Sequence, residues 1–347
     1  MDLKRYKPLL ILAIAIVIIP VMTSLFKVNF FLTQLTMSAY YVMVALGLCL
    51  LMGYAGQISL GQAGFFAIGG YTSAVLSTIN LIKLNEYPFG KLLNTIGILI
   101  PGQDLYGGKI LYLSPWVCFI AAIIISAGIA FFIGVPVLKL KGHYLAMATL
   151  GFGVIIEKIV RGTKLFGGAD GISNVPGFVI IPGLKISGDR ADRTLNYFIA
   201  WIIILISLTV LINLINSRAG RALRSIHGSE EASNSMGVDV SRYKLNVFII
   251  GAIFAAIAGI FMTHFNGSIG PGEAGVMKSV RYVSIVAVGG MANLWGTLVM
   301  GLLLNFLSLR GVFGSYDDAV FGAILIFVMI FSPDGFIRAG FLKKKKG

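Results

Sequence analysis

Residues 9–26 read LLILAIAIVIIPVMTSLF, eighteen consecutive positions without a charged side chain. A helix rises about 1.5 Å per residue, so ~20 such residues cross a hydrocarbon core about 30 Å thick. Lys4, Arg5 and Lys7 precede the run. It is longer than the roughly 7–15-residue apolar region of a secretory signal, and no A-x-A-like cleavage pattern follows it. It reads as a retained first span with a cytoplasmic N-terminus.

Further apolar segments fall at 35–52, 58–79, 116–136, 143–160, 195–215, 245–265, 281–309 and 318–332. Of the 347 residues, 57% are hydrophobic and 12% charged. A soluble domain carries roughly 25% charged residues to cover its surface. The expected fold is all-α, a polytopic transmembrane bundle of about 8–10 helices, some broken or re-entrant, in one domain over 1–347. A transmembrane barrel needs ~10-residue alternating segments, and these runs do not alternate.

The net charge of +14 does not point to nucleic acid, because no basic stripe interleaves with aromatics. Basic loops on the cytoplasmic face and the Lys343–Lys346 cluster account for it. Cys49 and Cys118 have no metal-ligand spacing and read as small core residues.

With the N-terminus inside, six crossings place 137–142 and 216–244 inside as well. The bases of the 161–194 loop (Arg161, Lys164, Lys185, Arg190, Arg193) run against that orientation. An inside C-terminus requires an even number of crossings after residue 244. The 281–309 run is therefore expected to break into two short helices at Gly289-Gly290-Met291-Ala292-Asn293-Leu294-Trp295-Gly296. The first half has a counterpart in Gly53-Tyr54-Ala55-Gly56-Gln57-Ile58-Ser59-Leu60-Gly61-Gln62-Ala63-Gly64. Broken backbone at membrane depth must be buried in protein or line a wet cavity. Paired interruptions in two halves point to a transporter's binding region, whereas the glycines alone also suit close helix packing. Candidate pathway residues are Gln57, Ser59, Gly61, Gln62, Phe65 and Tyr71 in the first half, with Gly289, Gly290, Asn293 and Trp295 in the second.

Catalytic constellations are missing from the sequence. His143, His227 and His264 form no HExxH or similar pair. No carboxylate pair falls within a span, so the energy for transport is expected to come from another chain. Gly272-Glu273-Ala274-Gly275-Val276-Met277-Lys278-Ser279 departs from a phosphate-binding loop at Met277, and no strand precedes it. The 80–115 and 161–194 segments read as external loops, with turns at Asn85–Pro88, Pro101–Asp104 and Gly107-Gly108.

The most soluble-like stretch is RAGRALRSIHGSEEASNSMG, residues 218–237. The spacing predicts one helix over 221–236, with Leu223, Ile226, Ser229, Ser233 and Met236 on a narrow stripe. Its arginines precede its glutamates, against the helix dipole. Gly228 in mid-helix costs about 1 kcal/mol relative to alanine. Such a helix makes sense when laid into a partner's groove, with Gly237 as its C-terminal stop.

Glu231-Ala232-Ser233-Asn234-Ser235-Met236-Gly237 resembles the EAA-xxx-G loop of ABC-importer permeases, with serine for the second alanine. Arg218 to Ile226, Met236-Gly237-Val238 and Tyr243-Lys244 are similar to the loop of the branched-chain amino acid (Liv) permeases. Ser59 to Thr72 resembles that family's SLG-x-A-xFF-xIG-xYT segment. Leu140 to Leu150, Gly167 to Ile172 and Gly289 to Gly296 resemble its M-type subunit.

The resemblance implies a non-enzymatic permease subunit in a bacterial or archaeal inner membrane, both termini cytoplasmic. Its partners would be an H-type permease, two ATPase subunits holding ATP and magnesium, and a periplasmic or lipid-anchored binding protein. The chain itself would bind no cofactor. The ATPase-coupling residues would be Arg218, Arg221, Leu223, Arg224, Ile226, Glu230, Glu231, Ala232, Met236 and Gly237. Of these, Leu223, Ile226, Ala232 and Met236 would fill the ATPase groove, and Arg221 and Arg224 would meet its acids. Alternative readings are the same machine for urea or short amides, a stand-alone channel or secondary carrier, or a membrane enzyme.

Overall fold

The apolar runs fold as helices of the length their composition requires. The computed structural model describes residues 3–82, 98–103, 109–181 and 183–331. Its helices are α1 (Leu3–Leu25), α2 (Phe30–Cys49), α3 (Gln62–Thr78), α4 (Pro115–Val137), α5 (His143–Gly162), α6 (Arg193–Asn216), α7 (Arg218–Gly228), α8 (Glu230–Ser235), α9 (Val240–Asn266), α10 (Val276–Gly289), α11 (Leu294–Leu309) and α12 (Asp317–Phe331). A π-helical turn, Leu50–Tyr54, prolongs α2. Among the described residues, seven helices are long and apolar enough to cross a membrane: α1, α2 with its π turn, α4, α5, α6, α9 and the segment Gly314–Phe331. The shorter α3, α10 and α11 lie among them, so the bundle is all-α and polytopic.

Helix α2 is the axis of the bundle, buried from Ser38 through Met52. Helix α1 instead exposes Leu10, Ile11, Ile14, Val17 and Ile18, as a lipid-facing helix must. The α3–α9 crossing depends on small residues. A side chain at Gly69 would run into the Ala256 backbone, and one at Gly259 into the Phe66 carbonyl. Lipid provides no hydrophobic drive for helix association, so close backbone approach of this kind supplies the attraction.

The 281–309 run breaks where expected, with α10 and α11 meeting at 290–293. The 58–79 run does not form a continuous helix: α3 starts only at Gln62, and residues 56–61 are irregular. At the far end of α9 lie short antiparallel pairs, β3 (Ile172–Ser173) with β6 (Ser268–Ile269), and β4 (Phe178–Ile181) with β5 (Leu184–Ile186). The first needs Gly171, which has φ +75°, because a side chain there would strike the Ile269 carbonyl. Strands β1 (Leu99–Gln103) and β2 (Lys109–Leu113) also pair. Residues 101–103 are therefore strand rather than turn. The turns expected at 85–88 and 107–108 lie outside the described residues, as does the 343–346 lysine cluster.

Candidate functional site

The two interrupted segments meet. The Tyr54 hydroxyl donates to the Ala292 carbonyl at 2.8 Å, and the Cys49 thiol to the Met291 carbonyl at 3.3 Å. A side chain at Gly53 would overlap the Met291 carbonyl. The 290–293 turn needs its own glycine too, since Gly290 has φ +96°. Close packing thus explains Gly53 and Gly289, and backbone conformation explains Gly290. Asn293 caps α11, its side-chain oxygen accepting the Gly296 N–H at 3.1 Å. With Trp295, Tyr54 and Arg224 it lines a cleft on the loop side of the bundle.

From Gly56, adjacent to His227, the chain climbs into the bundle without helical structure. Its backbone is met by side chains: Thr149 Oγ1 accepts the Leu60 N–H at 2.9 Å, and Ser59 Oγ accepts the Gly61 N–H at 3.4 Å. A Cβ at Gly61 would lie 2.9 Å from the Thr149 carbonyl. In the first turn of α3, Ser279 Oγ of α10 accepts the Ala63 N–H at 3.3 Å. Phe65 packs between Phe152 and Phe248, and Tyr71 packs edge-on against Phe166. Gln57 and Gln62 are 1% and 0% exposed. Both amide atoms of each lack a hydrogen-bond partner among the described residues. Leaving such a group unpaired costs about 1–3 kcal/mol. These four atoms are unpaired donors and acceptors buried in the bundle.

A second polar group joins α2, α10 and α12, and the sequence did not reveal it. Lys278 pairs with Glu273 at 3.0 Å, and the Tyr41 hydroxyl lies 3.3 Å from that carboxylate. Arg281 bonds Ser308, at 3.0 Å, and Asp317. The sequence reading concerned carboxylate pairs within a span; this acid–base group is assembled from separate segments instead. Glu273 comes from the 3-10 turn that follows α9 and Asp317 from the start of α12, and only the folded chain brings Glu273 beside Tyr41 and Asp317 beside Arg281.

The 218–237 loop differs from its sequence reading in three ways. It forms two helices, broken between Gly228 and Glu230, and Ser229 Oγ caps the second by accepting the Ala232 N–H at 3.2 Å. Glu230 and Glu231 thereby fall in a first turn, where the dipole favours them. Leu223 and Ile226 are 1% and 2% exposed, so they anchor α7 to the bundle and do not face a partner. Arg224 is exposed but also tied back to the chain, its Nη2 donating to the Ile215 carbonyl at 2.7 Å and its Nε to the Gly220 carbonyl at 3.2 Å.

Glu230 pairs with Lys244, a lysine buried on α9. Glu231 approaches Lys141 at 3.9 Å, with both side chains largely exposed, a pair worth little. Gly237 ends α8 as expected, with φ +82° and Val238 N–H donating to the Ser233 carbonyl at 3.1 Å. Outward faces remain at Arg218, Arg221, Glu231, Ala232 and Met236, the last 71% exposed.

Residues 30–329 match the family model described as the permease component of branched-chain amino acid transport systems. The chain belongs to this family. The permease is 31% identical over 323 residues to the high-affinity branched-chain amino acid transport system permease protein LivM of Salmonella typhimurium, covering 87% of this chain and 68% of that one. It is 24% identical to LivH of Escherichia coli, over 89% of this chain and 96% of the other. The ribose import permease protein RbsC of Haemophilus influenzae is 29% identical over 69% of this permease and 79% of its own length. No solved structure matches the permease.

Proposed function

We propose that the permease forms half of the translocation pathway of an importer for leucine, isoleucine and valine, driven by ATP hydrolysis on separate subunits. A second, H-type permease completes the pathway, two ATPase subunits dock on the 218–237 loop, and a binding protein delivers substrate from the other side. The chain binds no ATP itself. The loop lies on the cytoplasmic side together with both termini.

The shape of the loop carries this reading. Leu223, Ile226, Arg224 and the Glu230–Lys244 pair fix its inner side to α6 and α9. Ala232 and Met236 project from its outer side. A rigidly held helix tip with an exposed apolar residue transmits displacement between a partner and the bundle. The α7 part of the loop meets the irregular segment, since His227 abuts Gly56 where that segment begins.

Reconstitution of the full complex in liposomes, with ATP and the binding protein, tests the reading. Uptake of labelled leucine that requires ATP is expected. Leucine flux through this chain alone would establish a channel or carrier instead. The likeness to a ribose import permease favours a second reading, the same machine with another small polar cargo, and competition of leucine uptake by urea, short amides or ribose decides it.

A further inference from the structure

Lipid cannot cover an ion pair, yet one stands beside the middle of α2. Tyr41 is the twelfth of 25 residues in the Phe30–Tyr54 helix. Its hydroxyl lies 3.3 Å from a Glu273 carboxylate oxygen and 3.4 Å from the Lys278 ammonium, which also sits 4.9 Å from the Tyr41 ring centre. Glu273 belongs to the 3-10 turn Pro271–Ala274, and Lys278 to the first turn of α10. The side chains of Glu273 and Lys278 are 24% and 25% exposed. At this depth their exposed part faces water or protein, because acyl chains offer charges no partner.

The surroundings are polarised. Ser279, next to Lys278, accepts the Ala63 N–H, which brings the positive end of α3 against this turn of α10. Gln62, at that same helix start, is buried with both amide atoms unpaired among the described residues. So is the hydroxyl of Tyr282, one turn on from Lys278. The Lys278 side therefore carries the positive charge and the positive end of α3, and the Glu273 side supplies the negative charge.

Separating a half-buried ion pair leaves two uncompensated charges, which is costly. A solute carrying both charges removes that cost by pairing with each partner in turn. A neutral or singly charged solute does not. We propose that Glu273, Lys278 and Tyr41 form a binding site for a zwitterionic α-amino acid in transit. Lys278 and the α3 end take the carboxylate, Glu273 takes the ammonium, and the substrate's charges replace the contact the two side chains make with each other. This assignment rests on the importer reading above and names the groups that select its cargo.

The test uses the complete complex in liposomes with ATP, the binding protein and labelled L-leucine. Glu273→Gln and Lys278→Gln are each expected to lower uptake by about tenfold or more, the range for losing a charged hydrogen bond. Tyr41→Phe, which keeps the ring, is expected to lose about threefold. The exchanged variant Glu273→Lys/Lys278→Glu keeps an ion pair but reverses its sense relative to α3, and its uptake should stay low while the complex assembles. Recovery of uptake in the exchanged variant would overturn the site and leave a structural bridge. Wild-type rates in Tyr41→Phe and both single variants would overturn it too. A wild-type complex that takes up no branched-chain amino acid would overturn the importer reading and the site together.

Discussion

The seam between α2 and the α10–α11 turn and the loop at 218–237 lie side by side and are built on opposite principles. In the seam, backbone touches backbone. Gly53 meets Met291, and Gly289 meets Gly296, with no space for a side chain at either. In the loop, apart from Gly220, which packs against the Ile215 backbone, side chains do the holding, and two of its three glycines have room around them. A side chain at Gly228 or Gly237 would meet nothing within 4 Å. The seam is therefore rigid because it cannot give, whereas the loop is held by a few anchors that can be removed one at a time.

Substitutions grade this contrast. Gly53→Leu has the largest expected effect, since it drives a side chain into the 291–292 backbone. Overpacking against backbone that cannot move exceeds the usual 1–3 kcal/mol of a crowded core, and size-exclusion chromatography in detergent should show no assembled protein. Lys244→Met comes next. It leaves Glu230 without its partner on α9, but that carboxylate keeps about a third of its surface in water, so a loss of about 1–3 kcal/mol is expected in detergent thermal melts. Met236→Asp should leave the melting temperature unchanged, because the side chain is exposed, and yet reduce ATPase co-purification and ATP-driven uptake by tenfold or more. Gly228→Ala is expected to change stability by less than about 1 kcal/mol and uptake not at all. A large effect there would mean that the break between α7 and α8 depends on glycine, rather than on the Ser229 cap.

The same contrast explains what the sequence made legible. Composition and run length announce the bundle, and glycines clustered inside apolar runs announce the seam, because both are local properties. Crossing parity located the break in 281–309. The loop was misread where tertiary contacts decide. Leu223 and Ile226 have the spacing of a docking stripe, and nothing local distinguishes a partner's groove from the chain's own α6 and α9. Ser229 looked like a stripe residue and serves as a cap. Tyr41 and Glu273 are 232 residues apart, so the polar group they share with Lys278 becomes visible only in the folded chain. Gln57 and Gln62 were recognisable as polar residues in an apolar setting, although their lack of partners was not.

The central claim is that α8 presents its outer tip to an ATPase subunit while Leu223 and Ile226 of α7 face inward. Site-directed crosslinking of the assembled complex tests it directly, with single cysteines introduced as Met236→Cys and Leu223→Cys; the native Cys49 and Cys118 are buried. Crosslinks to the ATPase subunit from position 236, and none from position 223, are the expected result. Crosslinking from 223 with none from 236 would contradict the account.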